Sequence, residues 1–181
     1  MPASERDALL AAAQAFCNSF ANKEAPAKIL SHFSTSDDVV AVEHGLPQLA
    51  PFLGRHFRGR AGLESYFQLL SSHLKYENMR FSNFVVDAEV SKVAVRGEAT
   101  FTWISTAQSW DEVFTYVLEF DQENRVLVYE IWAGEYRYRA CKVCPQNSSA
   151  NDRSDSGAAY LASKAQLCQQ TIRASESSYS L

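Results

Sequence analysis

Proton-transfer chemistry in this chain would have to come from ionisable residues set among apolar ones. Glu43 and His44 are adjacent at the end of the β-rich run Val39 to His44. Neighbours in a strand point to opposite faces, so only one of the two can face inward. Alternation with Val40 and Val42 favours His44, the competing reading being a rim histidine bonded to backbone. Glu112 alternates with Phe114 and Tyr116, and Glu130 with Trp132. A carboxyl among Trp and Val side chains loses solvation, and its pKa rises toward neutrality, which suits it to take and return a proton. Tyr116 could donate to a developing enolate or alkoxide. The candidate catalytic residues are therefore His44, Glu112, Tyr116 and Glu130, each weighed against a solvated, salt-bridged or core role. Phe57, Tyr66, Phe101, Trp103, Phe114 and Trp132 are candidates for a ligand-binding wall, with plain core as the alternative.

Arg55, His56, Arg58 and Arg60 form a basic cluster beside Phe52 and Phe57. It is either a lid that receives an anionic ligand or a solvated loop. No dinucleotide fingerprint, phosphate loop, nucleophile elbow, zinc-protease helix or calcium loop is present. The chemistry expected is metal-free and cofactor-independent. Cys141 and Cys144 have CxxC spacing, but a structural zinc needs four ligands, and no second CxxC or close His pair exists. A redox CxxC normally opens a helix, whereas Pro145, Gln146 and Asn147 follow this one. We read it as chance spacing in a loop. Cys17 has no activating group near it in sequence.

The elements that must position these residues follow from periodicity. Leu9, Leu10, Ala13, Phe16 and Phe20 recur at helical spacing, which predicts a helix over about 4–23, with Ser4 as N-cap and Asp7 three residues on. Pro26 suits the first turn of a short helix carrying Ile29, Leu30 and Phe33. Residues 45–60, with Pro47, Pro51, Gly54 and Gly59, read as a long connection forming a rim or lid. A third helix is predicted over about 61–74. Runs at 79–86, 92–104, 109–120 and 125–132, punctuated by turn residues, predict an antiparallel meander. Helices at one end of the chain and strands at the other indicate α+β. Gly97 in mid-strand would permit the bend of a curved sheet.

The 181 residues suit one domain with an appendage, and 46% apolar against 21% charged is ordinary for a globular protein. A net charge of −4 offers no electrostatic reason to bind nucleic acid or an anionic membrane. No apolar run approaches the roughly 20 residues that span a bilayer, and the start of the chain lacks the features of a secretory signal, so a cytoplasmic location is expected.

Helix, short helix, strand, long rim, helix and meander is the order of the NTF2-like fold. Phe52-Leu53-Gly54-Arg55, with Phe57-Arg58-Gly59-Arg60-Ala61-Gly62-Leu63 and Tyr66-Phe67, resembles the entry to the third helix of SnoaL-like (polyketide cyclase-like) proteins. Val126 to Trp132 resembles their last strand. The resemblance covers about residues 5–133 plus 155–163 and is closest to SnoaL-like proteins of filamentous fungi. It implies a cone-shaped half-barrel with N-terminal helices packed on a curved antiparallel sheet around one pocket. It also implies cyclases, dehydratases or isomerases that use side-chain acids and bases, alongside members with no shown activity.

Residues 134–154 break the pattern. Hydrophobic periodicity vanishes after Ala133 and resumes at Asp155-Ser156-Gly157-Ala158, where Asp155 is read as a helix cap. We read the stretch as a translated intron. Gly134-Glu135-Tyr136 can be encoded GGT-GAG-TAC, Ala150-Asn151 GCT-AAC, and Ser154-Asp155 TCA-GAC, which supply donor, branch and acceptor sequences. The piece is a whole number of codons. Genomic codons lacking GT and AG at those points would sink the idea and leave a genuine surface insertion. Residues 1–168 are thus expected to form one domain interrupted by a disordered insert, with a disordered Ser-rich tail at 169–181.

Two functions fit: a metal-free lyase, isomerase or cyclase acting on a hydrophobic metabolite, as in secondary metabolism, or a non-catalytic pocket or dimerisation module. Two or more ionisable groups converging inside the sheet would favour catalysis, and a wholly apolar interior would favour binding. The half-polar second face of the sheet leaves room for a homodimer contact.

Overall fold

Ser4 opens the first helix as its position before an apolar periodicity predicts. Its Oγ accepts the Asp7 N–H at 3.2 Å and donates to the Asp7 carboxylate at 2.7 Å. The helix, α1 (Glu5–Ala21), lays Leu9, Ala13, Phe16, Cys17 and Phe20 against the rest of the protein. The computed structural model describes residues 4–47 and 49–133. The 134–154 insert with its CxxC, Asp155 and the 169–181 tail lie outside these residues. Pro26 starts α2 (Pro26–Leu30), where its missing N–H costs no hydrogen bond.

The strands are β1 (Val40–His44), β2 (His56–Arg58), β3 (Leu74–Asp87), β4 (Lys92–Trp103), β5 (Ser109–Phe120) and β6 (Val126–Ala133), with α3 (Gly59–His73) between β2 and β3. Strands β3 to β6 form the expected meander. β1 joins it parallel to β6, and the short β2, which the long-connection reading passed over, pairs antiparallel with β1 at the edge. The single sheet has the order β2-β1-β6-β5-β4-β3. This is an α+β architecture with N-terminal helices packed on a mostly antiparallel sheet.

One face of the sheet carries Val93, Val95, Ala99, Phe114, Tyr116, Leu118, Tyr129 and Ile131, all buried in one core with α1 and α3. Phe16 sits at its centre, edge-on to Phe20, Phe33 and Tyr129 at 5.1–5.3 Å. Such pairs add about 0.5–1.5 kcal/mol each beyond the area they bury. Gly97 pairs with Phe114 across β4 and β5, and the Phe114 ring lies where a side chain at 97 would stand. The opposite, outer face is polar along β4 and β5, with Arg96 bonded to Glu98 and Thr100 to Asp111. Among the described residues no helix is long and apolar enough to cross a membrane.

Candidate active site

Glu43 is brought to the inner face by the parity of β1. Ala41 belongs to the core, and Glu43, two residues on, follows it inward. There the Tyr66 hydroxyl, from the middle of α3, donates to Glu43 Oε2 at 2.8 Å. Glu43 is only partly exposed, and burial pushes its carboxyl pKa up to about 7. The Tyr66 hydrogen bond opposes that rise and the negative charge of Glu112 adds to it. At neutral pH the carboxyl is therefore poised between its two forms, as a group that both takes and returns a proton must be.

Two more phenols stand near it. Tyr116 of β5 and Tyr129 of β6 are buried, their rings perpendicular at 4.8 Å, and their hydroxyls are hydrogen-bonded. Burial raises the pKa of Tyr66, Tyr116 and Tyr129 well above the usual phenol value, so all three stay protonated donors across the physiological range. Glu43's charge bears on all three. Glu112 faces the same side from β5, and the Trp110 indole N–H donates to its Oε2 at 2.9 Å. Trp110 in turn stacks on Phe101 at 5.8 Å and lies tilted by 36° against Trp103 at 5.7 Å. These three rings are only part-buried, so the aromatic wall keeps some accessible surface.

The structure thus places Glu112, Tyr116, Tyr66, Phe101, Trp103 and Phe114 on the inner side, with Phe57 packed on Tyr66 at 5.2 Å. It reverses the alternation reading at two places. His44 points to the outer face, stacked on Trp132 at 3.7 Å, with Nε2 4.0 Å from Glu130 Oε2. Val40 and Val42, which share its face, are also buried, so the Val-Ala-Val run gave no contrast between the two faces. A shift of one residue in parity exchanges every side chain. Glu130 and Trp132 lie outside for a related reason. Their partners on β5 are Val117 and Thr115, the half-polar face, while Tyr129 and Ile131 face inward.

Tyr129 is on the inner side without being among the sequence candidates, and its alternation with Ile131 is the signal that marks it. Two members of the basic cluster are engaged within the chain. Arg55 lies over the Phe57 ring and donates to the Pro51 carbonyl, and Arg60 binds Glu64 and the Leu30 carbonyl. Burial raises the Cys17 thiol pKa, so it is no nucleophile at neutral pH. Among the described residues no three His, Cys, Asp or Glu side chains are grouped to hold a metal ion.

This sheet, wrapped by N-terminal helices with ionisable groups on its inner side, is the fold of NTF2-like proteins. An NTF2-like protein of unknown function from Burkholderia pseudomallei superposes with a TM-score of 0.58 at 16% identity, over 70% of this chain and 91% of that one. TerC, crystallised with polyporic acid, gives 0.57 at 16% identity over 70% and 92%. A candidate SnoaL-like polyketide cyclase from Mesorhizobium loti gives 0.55 at 11% identity over 68% and 97%. No protein-family profile and no curated protein sequence matches the chain.

Proposed function

We propose that this chain is a cofactor-independent acid–base enzyme, a cyclase, isomerase or dehydratase, acting on a small hydrophobic metabolite. The observation that carries the reading is Glu43, a carboxyl raised to about 7 by burial and held by Tyr66 beside an aromatic wall. In the ionised form Glu43 removes a proton from a carbon acid, with the Tyr66 hydrogen bond fixing the carboxylate's orientation. Tyr116, which accepts the Tyr129 hydrogen bond and keeps its own proton, supplies a neutral donor to the oxygen on which charge develops. Glu112, fixed by Trp110, is the second proton carrier. The SnoaL-like neighbour and the polyporic acid complex support a small organic substrate, and kinship with fungal SnoaL-like proteins rests on the sequence of residues 52–67 alone.

A nitrobenzisoxazole tests this without knowledge of the natural substrate. Removal of its ring C–H proton by a carboxylate breaks the N–O bond and releases a coloured cyanophenolate. The rate should rise as pH approaches about 7 and then level, following ionisation of Glu43. A rate no greater than that of free acetate at equal concentration would leave the chain a non-catalytic binding module.

The outer face supports a homodimer. Trp132 and Val113, 50% and 46% exposed, lie diagonally across β6 and β5 and form an apolar patch on the sheet. Trp132→Glu with Val113→Glu is expected to convert a dimer to a monomer in sedimentation equilibrium. An unchanged mass would remove this face as the contact.

A further inference from the structure

The rim segment does more than connect β1 to β2. After Gly45 the chain returns so that Leu53 bridges Glu43 in parallel, and the Gly54 N–H donates to the Glu43 carbonyl at 2.8 Å. Gly54 needs its left-handed φ of 65° here, and a Cβ on it would come within 2.8 Å of the Gly45 carbonyl. That return sends Phe52 inward, where it is 3% exposed. Its ring stands 6.4 Å from His73, the last residue of α3, and 6.4 Å from Trp103, the last residue of β4. It therefore spans the end of the interior from helix to sheet.

Phe52 is also the end of a row. From Phe101 to Trp110, Trp103 and Phe52, successive rings meet at 29°, 36° and 32°. Rings tilted by about a third of a right angle to one another offer edges and partial faces against which an aromatic molecule can pack. Phe101, Trp103 and Trp110 are part-buried, whereas Phe52 is closed in. The row is thus partly accessible at Phe101, Trp110 and Trp103 and ends at the buried Phe52.

We propose that Phe52 is the specificity-determining residue that sets the length of flat aromatic ligand the interior admits. A ligand packed along the row and lengthened by one fused ring would have to displace the Phe52 ring, which stands between His73 and Trp103. The proposal rests on the reading of this interior as the ligand site, but not on Glu43 transferring a proton.

The three tryptophans allow a direct reading. Trp103 and Trp110 belong to the row, and Trp132→Phe removes the signal from the outer face. In that background, naphthol (two rings) and anthracenol (three rings in line) are titrated by fluorescence quenching into the parent and into Phe52→Ala. The parent should prefer naphthol. Phe52→Ala should bind anthracenol about tenfold or more tighter than the parent does, with naphthol altered less than about threefold, a discrimination expected when a pocket gains or loses this much volume. Phe52→Leu, which keeps the site apolar, should give an intermediate gain and covers the case in which the alanine variant fails to fold. Equal changes for both ligands, no change for either, or no binding of either to any form would overturn the proposal. Selective gain for anthracenol in a protein without nitrobenzisoxazole activity would uphold Phe52's role and sink only the catalytic reading.

Discussion

Replacing Glu43 by glutamine is expected to slow nitrobenzisoxazole ring opening by roughly 10²–10⁴-fold, the usual worth of a positioned general base. Glutamine keeps the shape and can still accept the Tyr66 hydroxyl proton, so what is lost is the charge and the basicity. The same change should make the fold more stable above neutral pH. Glu43 ionises near pH 4.5 when unfolded and near 7 when folded, so between those values the folded chain holds the proton that the unfolded chain has released. Stability of the wild type then falls as pH rises through that window. The penalty is absent below about 4.5 and complete above about 7. The pKa difference corresponds to on the order of 2 kcal/mol after allowance for the partial exposure of the side chain. Urea titrations of wild type and Glu43→Gln at pH 4 and pH 8 would reveal it as a gap that opens only at the higher pH. A gap of equal size at both would show that Glu43 is not buried as an acid.

The largest effect on stability is expected at Gly97. A Cβ there would lie 2.2 Å from Cε2 of Phe114, a distance that real side chains do not tolerate. Gly97→Val must push the Phe114 ring from its place beside Phe81 and Phe101, whose rings each lie 6.0 Å from it. Overpacking of this kind costs about 3 kcal/mol, which corresponds to a loss of roughly 10 °C in melting temperature for a domain of this size. Because the clash is with one ring, Phe114→Ala added to Gly97→Val should restore part of that loss, although Phe114→Ala alone is destabilising. Additive losses in the double variant would mean that Gly97 matters for strand bending rather than for the ring above it.

These residues also mark how far local pattern carries. The helices and the meander follow from periodicity because each buries one face against a single core. The ends differ by a few residues, and β3 starts five earlier than expected, since Leu74 and Tyr76 pair with Trp103 and Phe101 rather than continuing α3. Along β4 and β5 the apolar and polar faces differ sharply, and Glu112 and Tyr116 were assigned to the correct side. β1 offers no such contrast. What decides its parity is Tyr66 on α3, twenty-three positions away in sequence, together with the register against β6. Neither contact is local, so the local pattern favours His44 over Glu43. β2 was passed over because three residues among Pro and Gly carry no periodic signal of their own.

The parallel pairing of β1 with β6 has a consequence for assembly. β1 leaves the ribosome early, yet its partner β6 is made only after the whole meander, and the register from Val40↔Val128 to His44↔Trp132 closes a very long loop. Contacts of such sequence separation form late and slow the folding of the proteins that depend on them. Helices α1 and α3 and the hairpins of β3 to β5 can gather first, while Val40, Ala41 and Val42 wait without a central neighbour, an interval in which unpaired apolar strands invite association with other chains. Glu43, the proposed acid–base residue, is carried on a strand whose pairing must close that long loop. An incomplete or misregistered chain would therefore hold much of its core and no site, and recovery of Glu43-dependent activity after dilution from urea should lag behind recovery of secondary structure.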